Sequence, residues 1–248
     1  MLLVFMLLYQ LENGEYNMKR IIKIDNKIVT IYYDENIKNT TMPVVIFNSY
    51  DEDGQAIWDL SKKEIGKKYI LVTISNIKWN EELSPWFANK VFDTEDDFSG
   101  KADEYIDELV YKIIPQIISF IMFNLNIEPE YFVLGGYSLA GLFAIYSLYK
   151  TMAFKRVFSA SGSMWYPNFL EFVREKEIRN KVQKAYFSLG NKEAKTRNET
   201  MSKVEENTKE IVDIFKEKNI DVVYEENEGN HFQDITERIV KAIKWTIK

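Results

Sequence analysis

The chain has no cysteine and a single histidine in 248 residues. Without cysteine there is no disulfide, no thiolate nucleophile, no Cys-ligated zinc and no iron–sulfur cluster. One histidine excludes His-rich metal sites. Glycine (10) and proline (5) are too few for a collagen-like or low-complexity chain. The apolar run at residues 1–8, MLLVFMLL, falls well short of the ~20 residues a bilayer span needs. No positive segment precedes it and no small-residue cleavage site follows, so it makes a poor signal peptide. Neither sign of charge dominates: 32 basic and 38 acidic residues leave −6. That balance gives no global pull toward nucleic acid or an anionic membrane.

What is there is a globular composition, 46% hydrophobic and 28% charged. A chain of this length buries roughly 70–75% of its unfolded surface and needs neither disulfide nor metal to hold a core. Residues 1–17 read as an N-terminal extension, non-native or disordered, because Met18-Lys19-Arg20 opens the first strand-like run and can serve as a start. Residues 18–248 then form a single domain, expected to be cytoplasmic.

Residues 20–24 and 28–33 read as strands around the turn-prone pair Asp25-Asn26. Further strands are expected at 44–47, 69–75, 131–135, 156–161, 185–190 and 222–226. Helical periodicity marks 55–65, 103–124, 139–150, the face Val204, Thr208, Ile211, Val212 and Phe215, and the face Ile235, Ile239, Ala242 and Ile243. Pro115 should kink the long helix or restart it. From residue 43 strands and helices alternate to the end. The expected fold is a doubly wound, mostly parallel α/β sheet of eight strands, with helices on both faces. The segment 162–184 is short, so no large cap domain is expected.

The strand ending in Leu134-Gly135-Gly136 runs straight into Tyr137-Ser138-Leu139-Ala140-Gly141 and a helix. Gly-x-Ser-x-small alone is common by chance. On a strand–turn–helix it is the context a nucleophile elbow requires, with Gly136 and Ala140 as the small neighbours. The helix start directs free N–H groups toward developing negative charge, the N–H of Leu139 first. A serine hydroxyl needs a base, and His231, after the last strand and before the last helix, is the one imidazole present. Read alone, His231 could equally be a surface-loop residue. Its partnership with Ser138 argues for catalysis. In the order Ser…acid…His, the acid follows the next-to-last strand. Glu193 is the first acid there; Glu225, Glu226, Glu228 or a plain Ser–His dyad are the alternatives. The second oxyanion donor is expected on the loop Asn48-Ser49-Tyr50-Asp51-Glu52-Asp53-Gly54, from the backbone of Ser49 or Tyr50.

These segments resemble the esterase branch of the α/β-hydrolase superfamily, which includes enterobactin- and salmochelin-type siderophore esterases, S-formylglutathione hydrolases and feruloyl or acetyl-xylan esterases. The resemblance runs from about residue 43 and rests on GGYSLAGLFAIYSLY (135–149) and GNHFQD (229–234). SASGSMWYP (159–167) and SLGNKEAKTRN (188–198) support it, and 79–105 looks like a segment of small bacterial esterases. The resemblance implies Ser138 as nucleophile, His231 as base and Glu193 as acid. The chain departs from the pattern in carrying Ala140-Gly141 where one Gly usually follows the serine, and Glu at the acid position.

The implied function is carboxylic-ester hydrolysis through an acyl-enzyme, on siderophore-like or small acyl esters, with no cofactor and no metal. The alternatives are an acyltransferase or thioesterase with the same Ser–His chemistry, and a non-catalytic binding protein on this fold. Trp79, Trp86 and Trp165 lie on loops at the carboxyl ends of strands and are candidate substrate contacts, or else anchors for long loops. Lys195 and Arg197 could attract an anionic substrate, or be solvated surface charges.

Overall fold

The computed structural model describes residues 7–12, 15–34, 37, 40–50, 54–66, 68–91, 96–179 and 181–248. Its centre is a nine-stranded sheet. Strands β1 (Leu7–Glu12), β2 (Glu15–Ile24) and β3 (Lys27–Asp34) form an antiparallel meander. Its second turn places Asp25 at φ 50°, a conformation Asp tolerates better than most residues. Then come β4 (Thr41–Asn48), helix α1 (Gly54–Glu64) and β5 (Ile70–Ser75). The excursion after β5 holds α2 (Trp79–Glu82) and a two-stranded ribbon, β6 (Phe87–Ala88) with β7 (Phe98–Ser99). The long helix follows as α3 (Ala102–Glu108) and α4 (Ile114–Phe120), each ending in a π-helical turn, Leu109–Ile113 and Ile121–Leu125. Pro115 sits in the first turn of α4, where its missing N–H costs least. The remainder alternates: β8 (Glu128–Tyr137), α5 (Leu139–Ser147), β9 (Phe154–Ala160), α6 (Phe169–Glu175), β10 (Lys184–Gly190), α7 (Val204–Glu217), β11 (Asp221–Asn227) and α8 (Ile235–Thr246).

The sheet order is β1-β2-β3-β5-β4-β8-β9-β10-β11, antiparallel from β1 to β5 and parallel from β5 to β11. All eight expected strands are present and the mostly parallel α/β architecture stands. The ninth strand is β1, which lies within residues 1–17, expected as an extension. It pairs with β2 from Leu7↔Arg20 to Glu12↔Glu15. An edge strand of this kind needs only backbone partners along β2, so no strong side-chain pattern announces it. Residues 1–6 and 13–14 of that extension lie outside the described residues.

Burial explains why the inner strands read as continuous apolar runs. Along β4, Val44 and Ile46 pack on the face covered by the long helix, α5 and α7. Val45 and Phe47 pack on the opposite face with α1 and α8. The chain leaves β4 for β5 on one side and later enters β8 on the other. Strand order reverses at that point, and a crevice opens at the carboxyl ends of β4 and β8. Between β9 and β10 the described residues carry the seven-residue α6 and, among them, no cap domain.

Candidate active site

Ser138 stands at the end of β8 with φ 57° and ψ −125°. A non-glycine residue held there is strained, and strain of this kind persists where the surroundings over-determine it. Here the surroundings are backbone. The Ser138 N–H donates to Ala160 O at 3.2 Å, while its carbonyl accepts from the N–H groups of Gly141, Leu142 and Ser163 at 3.0, 3.2 and 3.1 Å. A Cβ at Gly136 would overlap the backbone of Ala140, which is why the turn requires glycine there. Leu139 opens α5, so its N–H has no intrahelical acceptor.

His231 lies on the loop between β11 and α8, 93 residues from the serine in sequence, yet its Nε2 is 3.1 Å from Ser138 Oγ. Its Nδ1 is 2.7 Å from Glu193 Oε2. Chain stitches hold the two loops together. The Lys192 N–H donates to Gly229 O at 3.0 Å, and the Gly229 N–H to Asn191 Oδ1 at 3.1 Å. The hydroxyl of Tyr137, next to Ser138 in the chain, donates to the His231 carbonyl at 2.7 Å. Burial raises the Tyr137 phenol above its ordinary value, so it stays neutral and keeps that donor.

The other carboxylate oxygen, Glu193 Oε1, accepts from the Gly190 N–H at 2.6 Å, the Ser161 hydroxyl at 2.8 Å and Arg238 Nη1 at 3.0 Å. Arg238 also donates through Nη1 to Ser161 Oγ at 3.0 Å and through Nη2 to Glu228 O at 2.8 Å. The Glu193 and Arg238 side chains are 5% and 1% exposed. Burial by itself pushes the Glu193 carboxyl up. Hydrogen bonding and charge from His231, with the Gly190 N–H and the Ser161 hydroxyl, outweigh it and leave the group below its ordinary value. Glu193 is therefore an ionised acceptor in a closed cradle of hydrogen-bond donors.

In front of Ser138 the surface opens into a cavity of about 580 Å³. Trp79 and Trp165 line it, as do Ser49 and Tyr50 from the loop after β4. The tryptophans are half-buried, and the Trp79 ring meets Tyr50 edge-on at 5.1 Å. Two of the expected substrate contacts lie elsewhere. Trp86 donates from Nε1 to Pro167 O at 2.9 Å and packs against Tyr146, Tyr166, Phe169 and Phe172. It anchors the long loop to the protein body, which removes it from the cavity. Arg197 is exposed and outside the cavity lining, because the chain beyond Glu193 turns away over the surface. Ser49 lines the cavity, but its N–H donates to Ile74 O at 2.9 Å, extending the β4–β5 pairing. Its backbone donor is therefore committed to the sheet and is not open to a bound oxyanion, against the expectation for Ser49. Residues 51–53 of that loop lie outside the described residues.

Four features of the site were not anticipated: Arg238, Ser161, Tyr137 and the cavity wall from Met201, Val204, Ile235 and Ile239. Arg238 lies between Ile235 and Ile239 on α8, and nothing in its local sequence marks it as buried. Among the described residues no cluster of His, Cys, Asp and Glu could hold a metal ion. Among them also, no helix is long and apolar enough to cross a membrane.

Comparison with known proteins agrees with this geometry. The curated relative "Uncharacterized protein YbbA" of Bacillus subtilis (strain 168) is 24% identical over 182 residues, 71% of this chain and 72% of its own length. Among solved structures, an IroE-like serine hydrolase from Shewanella oneidensis superposes with a TM-score of 0.73 at 16% identity, covering 92% of this chain and 79% of the other. Siderophore hydrolase EstB from Aspergillus nidulans superposes with a TM-score of 0.69 at 14% identity, covering 100% of this chain and 96% of the other. Residues 32–241 match the model of the family described as "Putative esterase". That span runs from β3 into α8 and includes every residue of the Ser–His–Glu chain; the protein belongs to this family and is an esterase of the α/β-hydrolase fold.

Proposed function

We propose that the protein is a serine carboxylic-ester hydrolase working through an acyl-enzyme on Ser138. The observation that carries the reading is the hydrogen-bonded chain Ser138–His231–Glu193, at 3.1 and 2.7 Å. Glu193 accepts the proton of Nδ1 and so holds the imidazole in the tautomer whose Nε2 is a base. His231 takes the Ser138 proton as Oγ attacks the ester carbonyl. Glu193 then stabilises the imidazolium. The negative oxygen of the tetrahedral intermediate lies against the N–H of Leu139 and, in this reading, that of Tyr50. On collapse the alcohol leaves with the proton from Nε2. Water then attacks the acyl-enzyme with His231 again as base, giving the acid and free Ser138.

Siderophore-type and small acyl esters both offer the carbonyl this chain of groups requires. A binding-only role is disfavoured, because a protein without chemistry has no need of a strained serine joined to an oriented imidazole. The test is intact-mass labelling by a fluorophosphonate. One adduct is expected on the native protein, none on Ser138→Ala, and slow labelling on His231→Ala. Well-folded native protein that takes no label would overturn the proposal. Added alcohol acceptor should leave the yield of free acid unchanged; an acyltransferase would divert it into new ester.

A further inference from the structure

The cavity wall is apolar, and the way charge is distributed around it is specific. From the β4 end come Phe47 and Tyr50, and from α2 comes Trp79. Trp165 also lines it, with Met201 from the turn just before α7, Val204 from the start of α7, and Ile235 and Ile239 from α8. Tyr50 and Phe232 are 71% and 80% exposed and form an aromatic rim. Among the described residues of the lining there is no lysine and no arginine. Its ionisable side chains are Glu193, His231 and the two phenols Tyr50 and Tyr137.

The nearby cations are committed elsewhere. Arg238 is buried behind the triad and directs its guanidinium to Glu193, Ser161 and the Glu228 carbonyl. Lys195 and Arg197 are exposed and lie outside the lining. The three residues after Tyr50 in the sequence, 51–53, are Asp, Glu and Asp, and the whole chain carries −6. An anionic group entering this cavity would lose its hydration and meet no compensating charge, which makes its burial unfavourable. The overall field also lowers the local concentration of anions. An apolar chain or ring gains contact with the wall at no such cost.

We infer that the site selects neutral esters carrying an aromatic or medium-length alkyl group, and rejects esters whose buried part bears an anion such as a carboxylate. This specificity rests on the serine-esterase reading of the same site. It places the discrimination on the wall, in the absence of a cation there, and Met201 is the half-buried wall position at which a cation can be supplied without disturbing the triad.

A matched pair of esters tests it: p-nitrophenyl hexanoate against p-nitrophenyl hydrogen adipate, equal in acyl length and differing by a terminal carboxylate. The native protein should favour the neutral ester in kcat/KM by on the order of 100-fold. Met201→Lys should shrink that ratio by roughly tenfold or more, while Met201→Gln, equally long and uncharged, should leave it in place. Fluorophosphonate labelling is run in parallel. A labelled Ser138 with the two esters turned over within about threefold of each other would overturn the specificity while leaving the esterase intact. A folded protein that neither labels nor cleaves either ester would overturn the esterase reading, and the specificity with it.

Discussion

Ser138 separates two regions built on opposite principles. Behind His231 lies a closed, charged compartment in which Glu193, Arg238, Ser161 and the Gly190 N–H satisfy one another. In front lies an open cavity walled by tryptophan, methionine and branched aliphatic side chains. The contrast teaches where this enzyme keeps its charge. An ionised carboxylate orients the imidazole best when fixed dipoles and one paired guanidinium hold it, away from water. The cavity side carries no lysine or arginine among its described lining residues, and most of its wall is aromatic or aliphatic.

The comparison breaks most severely on the charged side. Glu193→Gln keeps the shape but removes the anion, leaving Arg238 buried without its counter-charge. We expect kcat to fall by roughly 10³–10⁴ and stability by about 3–5 kcal/mol, read from steady-state kinetics and urea denaturation. Arg238→Met should leave Ser138 and His231 chemically intact, yet lower kcat on the order of ten- to a hundredfold by loosening Glu193. An Arg238→Lys variant should recover part of that loss.

On the apolar side the expected effects are smaller and separable. Trp165→Ala should lower kcat/KM for aryl esters by roughly 10–100-fold. Trp86→Ala should do the reverse. It leaves kcat/KM of the folded protein close to native but costs about 3 kcal/mol of stability, because Trp86 sits in the Tyr146–Tyr166–Phe172 cluster. Equal kinetic damage from both tryptophans would erase the distinction between wall and anchor.

The charged compartment also sets an acid limit. The Glu193 carboxyl is held below its ordinary value of 4.5. Its contribution to stability is therefore complete above that value and lost as pH falls through the lower folded one. Denaturation midpoints measured from about pH 6 down to pH 3 should drop more steeply in the native protein than in Glu193→Gln. The smallest effect belongs to Arg197→Ala: exposed and away from the cavity, it should shift stability by no more than about 0.5 kcal/mol and leave turnover unchanged.

Local pattern and chain order made much of this site readable. Ser138 is legible because a buried strand, two small neighbours and a helix start are all local facts. His231 is legible because it is the one imidazole in the chain; strand order pointed to Glu193 but left Glu225, Glu226, Glu228 and a dyad open, and only the fold brings the Glu193 carboxylate to 2.7 Å from Nδ1. Trp86 and Trp165 look alike in sequence, each an aromatic on a loop after a strand. Only the path of the long loop turns one inward against Phe172 and the other toward the cavity. Ser49 was equally ambiguous, since whether its N–H is free depends on how far β5 runs alongside β4. Arg238 was not legible at all: an arginine on an amphipathic helix is expected in solvent, and its burial depends on a carboxylate 45 residues earlier in the chain.

The sequence by itself therefore determined the alternation of strand and helix, the strand–turn–helix that carries Ser138, and the one imidazole that could serve it. These rest on periodicity, backbone geometry and a unique side chain, which act over a few residues or need no neighbour. The tertiary structure alone decided which cation is buried against Glu193, which tryptophans line the cavity and which backbone N–H group is tied up in sheet pairing. Those outcomes depend on distances between segments far apart in the chain, and they are set only when both faces of the sheet are covered and the loops close over its carboxyl edge.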